Sequence, residues 1–209
     1  MKIRLLIFDW SGVFSDDRKP AYDADMRILR DYGKPVMTFE KWIELFKMTP
    51  VEFYNDQGIR DDPKKLFALY KKYFDDEVRK GSKPKQYPGT KEVLRHFKRA
   101  GKKTAVLSSH PEENVKEEAR RYHLDGFVDL VLGSATDKVK GLKSICRKMR
   151  EKPESALYVG DLVFDIRAAK KAGVHSAAVC TGYQPREILE KEKPEFLLDS
   201  LSELKNIVE

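Results

Sequence analysis

Cysteine is almost absent from this 209-residue sequence, which contains only Cys146 and Cys180. The two residues lie far apart and form no CxxC pair, so we expect a reducing compartment in which both thiols fill apolar space. Long hydrophobic runs are also missing, and none could cross a bilayer. The N-terminus enters an apolar strand too abruptly for a signal peptide. These absences favour a soluble, cytoplasmic protein with no membrane partner.

The sequence also lacks any long run of one charge. Its net charge of +7 comes from 41 basic and 34 acidic residues, which raises the question of nucleic acid binding. The basic residues are spread along the chain and mixed with acids, as is typical of solvated helix faces. No run resembles a zinc finger, a basic zipper or an RNA-recognition motif. We therefore expect no nucleic acid partner, and a positive field that can attract small phosphorylated anions.

Short, nearly continuous apolar runs indicate the buried strands of a parallel sheet. The predicted strands cover residues 3–8, 104–107, 128–132, 156–159, 176–179 and 196–198, and the predicted helices cover residues 90–100, 111–123, 140–150 and 165–172. Strand and helix alternate from about residue 86 onward, which predicts a doubly wound α/β fold.

One stretch, residues 16–85, interrupts this alternation. It is rich in aromatic residues at helical spacings, with turn signals between the helical segments. We predict an inserted all-α domain at 16–85, and an α/β core domain formed by residues 1–15 and 86–209. Most of the aromatic side chains are expected to form the core of this helical insert, and a minority to face a substrate.

Carboxylates follow two of the predicted strands. Asp9 comes after the first strand, and Asp161 follows the strand at 156–159 with Asp165 four residues later. Ligands of open α/β sheets bind at the carboxyl ends of the strands. Several carboxylates at that edge suit Mg²⁺, and a carboxylate so placed can attack phosphorus to give an aspartyl phosphate.

Hydroxyl and ammonium groups accompany these carboxylates. Ser108, with Ser109 beside it, follows the strand at 104–107, and Lys138 or Lys140 begins the helix before the Asp161 strand. Taken singly, each of these residues would be a turn residue, a helix cap or a surface charge. Their joint order along the chain is much less expected by accident, and together they can hold a phosphoryl group.

The sequence closely resembles the haloacid dehalogenase superfamily of phosphohydrolases. The matching segments are LLIFDWSGV (5–13), YPGTKEVLRHFKRAGKKTAVLSSH (87–110), ALYVGDLVFDIRAAKKAGV (156–174) and TGYQPREILEKEKPEFLLDSLSEL (181–204). The resemblance implies Mg²⁺-dependent hydrolysis of a small phosphorylated metabolite through a phospho-aspartate. It also implies that residues 16–85 are the helical cap of the first cap class, which closes over the active site.

The resemblance further implies a role for each matching residue. Asp9 would be the nucleophile and a Mg²⁺ ligand, and Ser11 would lend its backbone carbonyl to the metal. Asp161 would complete the protein ligands, while Asp165 would order metal-bound water or the site lysine. Ser108 would hydrogen-bond the phosphoryl group, and the lysine would balance its charge. Lys138 is preferred because the apolar positions that follow it match the family's helical register, and Lys140 remains an alternative because it keeps a Lys-Gly pair common in the family.

One position departs from the family pattern. Phosphatases of this family usually have a second aspartate two residues after the nucleophile, where this sequence has Ser11. A serine hydroxyl titrates too high to donate a proton readily, and losing a general acid typically costs ~10²–10⁴-fold in rate. Three explanations stay open: a substrate with a good leaving group, another donor such as Asp16, Asp17 or a cap side chain, or a catalytically weak protein that binds rather than turns over.

A second resemblance gives an alternative activity. The DWSG segment is similar to phosphonoacetaldehyde hydrolases, which carry a small residue at this position and a Schiff-base lysine in the cap. The cap candidates are Lys41 and Lys47, although neither lies in a segment that matches that lysine motif. Haloacid dehalogenation fits less well, because those enzymes need no metal whereas Asp161 preserves a metal ligand. A monomer and a small homo-oligomer are both compatible with the sequence.

Overall fold

Parallel strands form the centre of the protein. The computed structural model describes residues 2–46 and 49–208. The strands are β1 (Leu5–Phe8), β2 (Ser15–Asp16), β3 (Lys85–Gln86), β4 (Lys103–Leu107), β5 (Leu130–Leu132), β6 (Ala156–Gly160), β7 (His175–Val179) and β8 (Phe196–Leu198). Six of them form a sheet in the order β5-β4-β1-β6-β7-β8, in which all neighbours are parallel. Strands β2 and β3 form a separate antiparallel pair.

Helices follow the strands of the sheet and also fill the segment between β2 and β3. They are α1 (Arg18–Asp31), α2 (Phe39–Glu44), α3 (Pro50–Asp56), α4 (Pro63–Arg79), α5 (Thr90–Arg99), α6 (Glu112–Arg121), α7 (Lys138–Met149), α8 (Val163–Ala172), α9 (Arg186–Lys191) and α10 (Leu204–Ile207). Among the described helices, none combines the length and the apolar composition that a membrane span requires.

Both faces of the sheet are covered by helices. Along β1, Leu6 and Phe8 pack into one apolar cluster with residues of α5 and α6, whereas Leu5 and Ile7 pack into another with residues of α7 and α8. Successive side chains of a strand point to opposite faces, so a strand buried on both faces must be apolar throughout. This explains the nearly continuous apolar runs, and the predicted doubly wound α/β fold is confirmed.

Helices α1–α4 form a helical insert with an apolar cluster of its own. Trp42, Phe53 and Tyr54 are buried in this cluster, whereas Phe67 is 55% exposed. Tyr183, which follows β7, also packs into the cluster and so joins the insert to the rest of the protein. Most of the aromatic residues of the insert therefore pack together, as their helical spacing predicted.

Two helices begin earlier than the sequence predicted, in each case because a carboxylate caps the first turn. Helix α7 begins at Lys138 because the side chain of Asp137 accepts a hydrogen bond from the backbone N–H of Lys140, at 3.0 Å. Helix α8 begins at Val163 because Asp165 accepts one from the backbone N–H of Leu162, at 3.1 Å. These caps fix the positions of Lys138 and Asp165 relative to the sheet.

Candidate active site

The carboxyl ends of three neighbouring strands bring the predicted polar residues to one edge of the sheet. Phe8, the last residue of β1, is in register with Val106 of β4 and with Val159 of β6. The backbone N–H of Asp9 then donates to the carbonyl of Val159 at 2.9 Å. Because the chains run parallel, Asp9 and the residues that follow β4 and β6 leave the sheet side by side.

Asp9, Asp161 and Asp165 form a compact cluster of buried carboxylates. Each offers an oxygen atom, and these three atoms lie within 4.8 Å of one another. Burial raises the pKa of Asp9 to about 6, because the attraction of Lys138 only partly offsets the loss of solvent. Burial and then the charges of Asp165 and Asp9 hold the pKa of Asp161 well above its usual range. A set of carboxylate oxygens whose charges repel one another fits a divalent cation, which would relieve that repulsion.

Lys138 bridges two members of this cluster. Its Nζ atom donates to Oδ2 of Asp9 at 2.5 Å and to Oδ1 of Asp165 at 2.6 Å. Burial works against the ammonium charge, but the attraction of Asp165 and Asp9 prevails and holds the pKa of Lys138 above its usual range. Tyr158 donates a further hydrogen bond to Oδ1 of Asp165, at 3.0 Å. Lys138 is therefore a fixed cation in contact with the predicted nucleophile.

The structure separates three other predicted site residues, which are Lys140, Ser108 and Ser109. The Lys140 side chain is 87% exposed, and its ammonium lies 3.7 Å from Asp137, so the structure does not bring it to the carboxylates. Ser108 is buried, and its Oγ accepts a hydrogen bond from the backbone N–H of His110 at 3.1 Å. Ser109 is exposed beside it.

Glycines allow the backbone to approach Asp161 closely. A Cβ atom on Gly12, whose φ is +76°, would lie 2.1 Å from Oδ2 of Asp161. A Cβ atom on Gly182 would meet the same oxygen at 2.1 Å. The backbone N–H of Tyr183 donates to this oxygen at 2.8 Å. Segments after β1 and β7 thus enclose the Asp161 carboxylate.

Ser11 occupies a polar network beside the cluster. Its hydroxyl donates to Oδ2 of Asp17 at 2.7 Å and lies 3.1 Å from Nε2 of His110. Oδ1 of Asp17 accepts a hydrogen bond from the Tyr183 hydroxyl, also at 2.7 Å. Asp17 is only 4% exposed. Asp16, the other carboxylate considered from the sequence, instead pairs with Arg18 at 2.8 Å.

His110 and Tyr183 are site residues that the sequence analysis did not identify. Each lies in a segment that the family resemblance covers, but neither follows a periodic pattern or a recognised motif position. Their contacts join residues about 100 or more positions apart, since His110 reaches Ser11 and Tyr183 reaches Asp17. Only the folded arrangement of the loops brings these residues together.

A cleft opens next to this network. Its volume is about 200 Å³, and it lies between helix α4 of the insert and helix α6 of the core. Its walls include Trp10, Asp17, Phe74, His110 and Arg121. Asp17 and His110 line the cleft and also contact Ser11, so the cleft adjoins the network around the Ser11 hydroxyl.

Of the two lysines considered for a Schiff base, Lys41 is described, and it pairs at the surface rather than with the carboxylate cluster. Lys41 pairs with Glu44 at 2.8 Å, and its side chain is 55% exposed. Lys47 lies outside the described residues.

Comparison with known proteins gives a consistent result. The sequence model of the haloacid dehalogenase-like hydrolases matches residues 6–179. A phosphoglycolate phosphatase from Vibrio vulnificus is 32% identical over 220 residues, which cover 99% of this chain and 96% of that protein. The pyrophosphatase PpaX of Bacillus cereus is 32% identical over 126 residues, 57% of each chain. A hydrolase of the haloacid dehalogenase-like family from Streptococcus pneumoniae has the same fold, with a TM-score of 0.86 at 16% identity over 99% of this chain and 98% of that one.

Proposed function

The chain belongs to the haloacid dehalogenase-like hydrolase family and is a phosphohydrolase, and on this premise we propose that it hydrolyses a small phosphorylated metabolite with Mg²⁺. The reaction proceeds through a covalent acyl phosphate on Asp9. The observation that carries the proposal is the cluster of Asp9, Asp161 and Asp165, which surrounds one end of β1 and contacts Lys138. This arrangement joins a nucleophile, a set of hard oxygen ligands and a fixed cation.

The metal would be held by Asp9, Asp161 and the backbone carbonyl of Ser11, with Asp165 beside them. When bound, it supplies positive charge that offsets the charge of the transferring phosphoryl group. An oxygen of Asp9 attacks phosphorus in line with the leaving oxygen. Lys138 keeps that carboxylate ionised and balances the phosphoryl charge, and the Ser108 hydroxyl donates to a phosphoryl oxygen. Water then attacks the phosphorus and frees Asp9.

Residues 16–85 act as a cap domain in this proposal, and residues 1–15 and 86–209 as the catalytic core. The cleft between α4 and α6 supports this division, since its walls come from both parts and include Asp17 and His110. A leaving group in the cleft would lie between the two domains. Closure of the cap would shut out bulk water and select the substrate by its fit to Trp10 and Phe74.

The named relatives supply the first substrates to test, namely phosphoglycolate and pyrophosphate. The assay measures release of inorganic phosphate from these compounds and from para-nitrophenyl phosphate, with Mg²⁺ and with EDTA. We expect release with Mg²⁺ and its loss in EDTA. Mg²⁺ should also raise the thermal unfolding temperature of the wild-type protein, because binding to the native state stabilises it.

Replacing the nucleophile tests the mechanism directly. Asp9→Asn should abolish turnover while leaving the protein folded, because the amide cannot form the covalent intermediate. Asp125→Asn, which removes an exposed carboxylate at the start of a 3₁₀ helix, should keep wild-type activity. Wild-type phosphate release by Asp9→Asn would show that Asp9 is not the nucleophile.

Cleavage of a carbon–phosphorus bond is the alternative activity, and it requires a Schiff base on a cap lysine. Lys41 is paired with Glu44 at the surface, so the described residues give this activity no support. Reduction with borohydride in the presence of phosphonoacetaldehyde should therefore leave the protein's mass unchanged.

A further inference from the structure

The Ser11 hydroxyl stands between two groups that can exchange protons. It donates to Oδ2 of Asp17 at 2.7 Å and lies 3.1 Å from Nε2 of His110. Ser11 is two residues from Asp9, and both Asp17 and His110 line the cleft proposed for the leaving group. A leaving oxygen or an attacking water that enters from this cleft would therefore come beside the network that Ser11 forms with Asp17 and His110.

Asp17 is held in place from its other side by Tyr183. The Tyr183 hydroxyl donates to Oδ1 of Asp17 at 2.7 Å, while its backbone N–H donates to Asp161 at 2.8 Å. Burial and the charge of Asp17 raise the pKa of Tyr183, so its hydroxyl stays protonated as a donor. The Tyr183 ring packs against Phe46 of the helical insert, with centroids 4.2 Å apart. One side chain thus joins Asp17 to a proposed metal ligand and to the proposed cap.

We propose that Asp17, acting through the Ser11 hydroxyl, replaces the proton donor and acceptor that the usual second aspartate would supply, and that Tyr183 positions it. This inference rests on the proposed function. Asp17 enters this step protonated on Oδ2, so that it donates to the Ser11 oxygen and the Ser11 hydroxyl is free to donate to the substrate. As the bond from phosphorus to the leaving oxygen breaks, that oxygen takes the Ser11 proton and Ser11 takes the one from Asp17, which leaves Asp17 as a carboxylate that accepts from Ser11. When water attacks phospho-Asp9, one water proton passes to Ser11 and the Ser11 proton passes to Asp17. The phosphorus–Asp9 bond breaks in that step, so each group returns to its starting state.

The competing donors are less well placed. Asp16 directs both carboxylate oxygens at Arg18, whose Nε and a terminal nitrogen donate to them at 2.8 and 2.9 Å. His110 also reaches Ser11, but its side chain is 35% exposed whereas that of Asp17 is 6% exposed. Asp17 is therefore the more firmly fixed of the two groups that contact the Ser11 hydroxyl.

The test compares para-nitrophenyl phosphate, which has a good leaving group, with benzyl phosphate, which has a poor one. In Asp17→Asn, kcat/KM for benzyl phosphate should fall roughly 10²-fold, the lower end of the range for general acid catalysis. For para-nitrophenyl phosphate, kcat/KM should stay within about 3-fold of wild type, because its leaving group needs no proton. With para-nitrophenyl phosphate, the kcat and the KM of Asp17→Asn should fall together, because hydrolysis of phospho-Asp9 becomes the slow step. A burst of para-nitrophenol should show that phospho-Asp9 accumulates.

Two further comparisons separate this role from a structural one. Ser11→Ala keeps the backbone carbonyl and should reproduce the Asp17→Asn pattern, and adding Asp17→Asn to it should cause no further loss. Tyr183→Phe keeps the ring and removes only the hydrogen bond to Asp17. The fold loss of kcat/KM on benzyl phosphate should therefore be about a tenth of the loss in Asp17→Asn, again with little effect on para-nitrophenyl phosphate. Tyr122→Phe is the matched control, since it removes another buried hydroxyl, which contacts Ser15 at 3.1 Å; it should leave both substrates unaffected.

Each outcome decides the inference. Equal losses on both substrates in Asp17→Asn, no loss on either, or a full further loss in the Ser11→Ala background would overturn it. A selective loss on benzyl phosphate in His110→Gln, with none in Asp17→Asn, would assign the proton to His110 instead. In all these cases wild-type turnover with Mg²⁺ leaves the proposed function intact. Absence of phosphate release by the wild-type protein itself would instead remove the proposed function.

Discussion

A buried carboxyl group in the helical insert should make the stability of the protein depend on pH. Asp25 is 3% exposed and accepts hydrogen bonds from Trp42 Nε1 at 2.8 Å and from the Tyr54 hydroxyl at 2.6 Å. Burial dominates over these two hydrogen bonds and raises the pKa of Asp25 from 3.8 to about 7. No cation pairs with this carboxyl among the described residues.

The sign of the effect follows from where the proton is bound. Between about pH 4 and pH 7 the folded protein keeps the Asp25 proton while the unfolded chain loses it, so the free energy of unfolding falls as the pH rises. The contribution of Asp25 is fully present below pH 4 and is lost above pH 7. With about 1.4 kcal/mol for each pKa unit, the change amounts to about 4 kcal/mol.

Urea unfolding of wild type and Asp25→Asn at pH 5 and pH 8 measures this contribution. The asparagine cannot ionise, so the variant should gain stability relative to wild type as the pH rises, by several kcal/mol across the transition. Taking the difference removes the contributions of Asp9 and Asp161, which both proteins share. Asp23→Asn, on the same helix but at the surface beside Lys19, should show no such change. A difference between wild type and Asp25→Asn that stays constant from pH 4 to pH 8 would refute the argument.

Two further predictions concern the carboxylate cluster. Lys138→Met should lower kcat/KM by at least ~10²-fold, because it removes the cation that contacts Asp9, whereas Lys140→Met should stay within about 2-fold of wild type since that side chain is 87% exposed. The reverse result would make Lys140 the site lysine. Gly12→Ala and Gly101→Ala both place alanine at a positive φ, +76° and +71°, at a cost of ~1–2 kcal/mol. Only Gly12→Ala should also abolish the Mg²⁺-dependent rise in thermal unfolding temperature, because its Cβ would displace Asp161; an equal rise in both variants would contradict this.

The positions of Asp9 and Asp161 could be predicted from the sequence because they depend on short-range signals. Each comes directly after a short apolar run that is buried on both faces, and such a run is typical of a strand in a parallel sheet. The parallel order of the sheet then brings the ends of β1 and β6 to one edge. Lys138 was preferred on register, but its contact with Asp9 depends on the Asp137 cap, which fixes the first turn of α7.

Asp17 was one of the donors that the sequence offered, but its contacts with Ser11 and Tyr183 could not be predicted, for a different physical reason. Asp17 follows β2, a strand of two residues that is too short to show any periodicity. Strand β2 is held by its pairing with β3, which lies about 70 positions further along the chain. Tyr183 is 166 positions from Asp17, and it comes close only because β7 lies two strands from β1. Local sequence patterns carry no information about such contacts.

The carboxylate cluster is negatively charged although the chain as a whole is positive, and this difference determines whether the metal or the substrate binds first. The protein as a whole carries a net charge of +7, yet among the described residues the only ammonium that contacts the cluster is that of Lys138, which pairs with Asp9 and Asp165. Without a further cation, these carboxylates repel both one another and a phosphate dianion, and this repulsion adds to burial in raising the pKa of Asp161 well above its usual range. A divalent cation would favour the ionised form of Asp161 and reverse the sign of the local field. Substrate should therefore bind tightly only after the metal, while the positive surface of the chain attracts phosphorylated anions to the cleft.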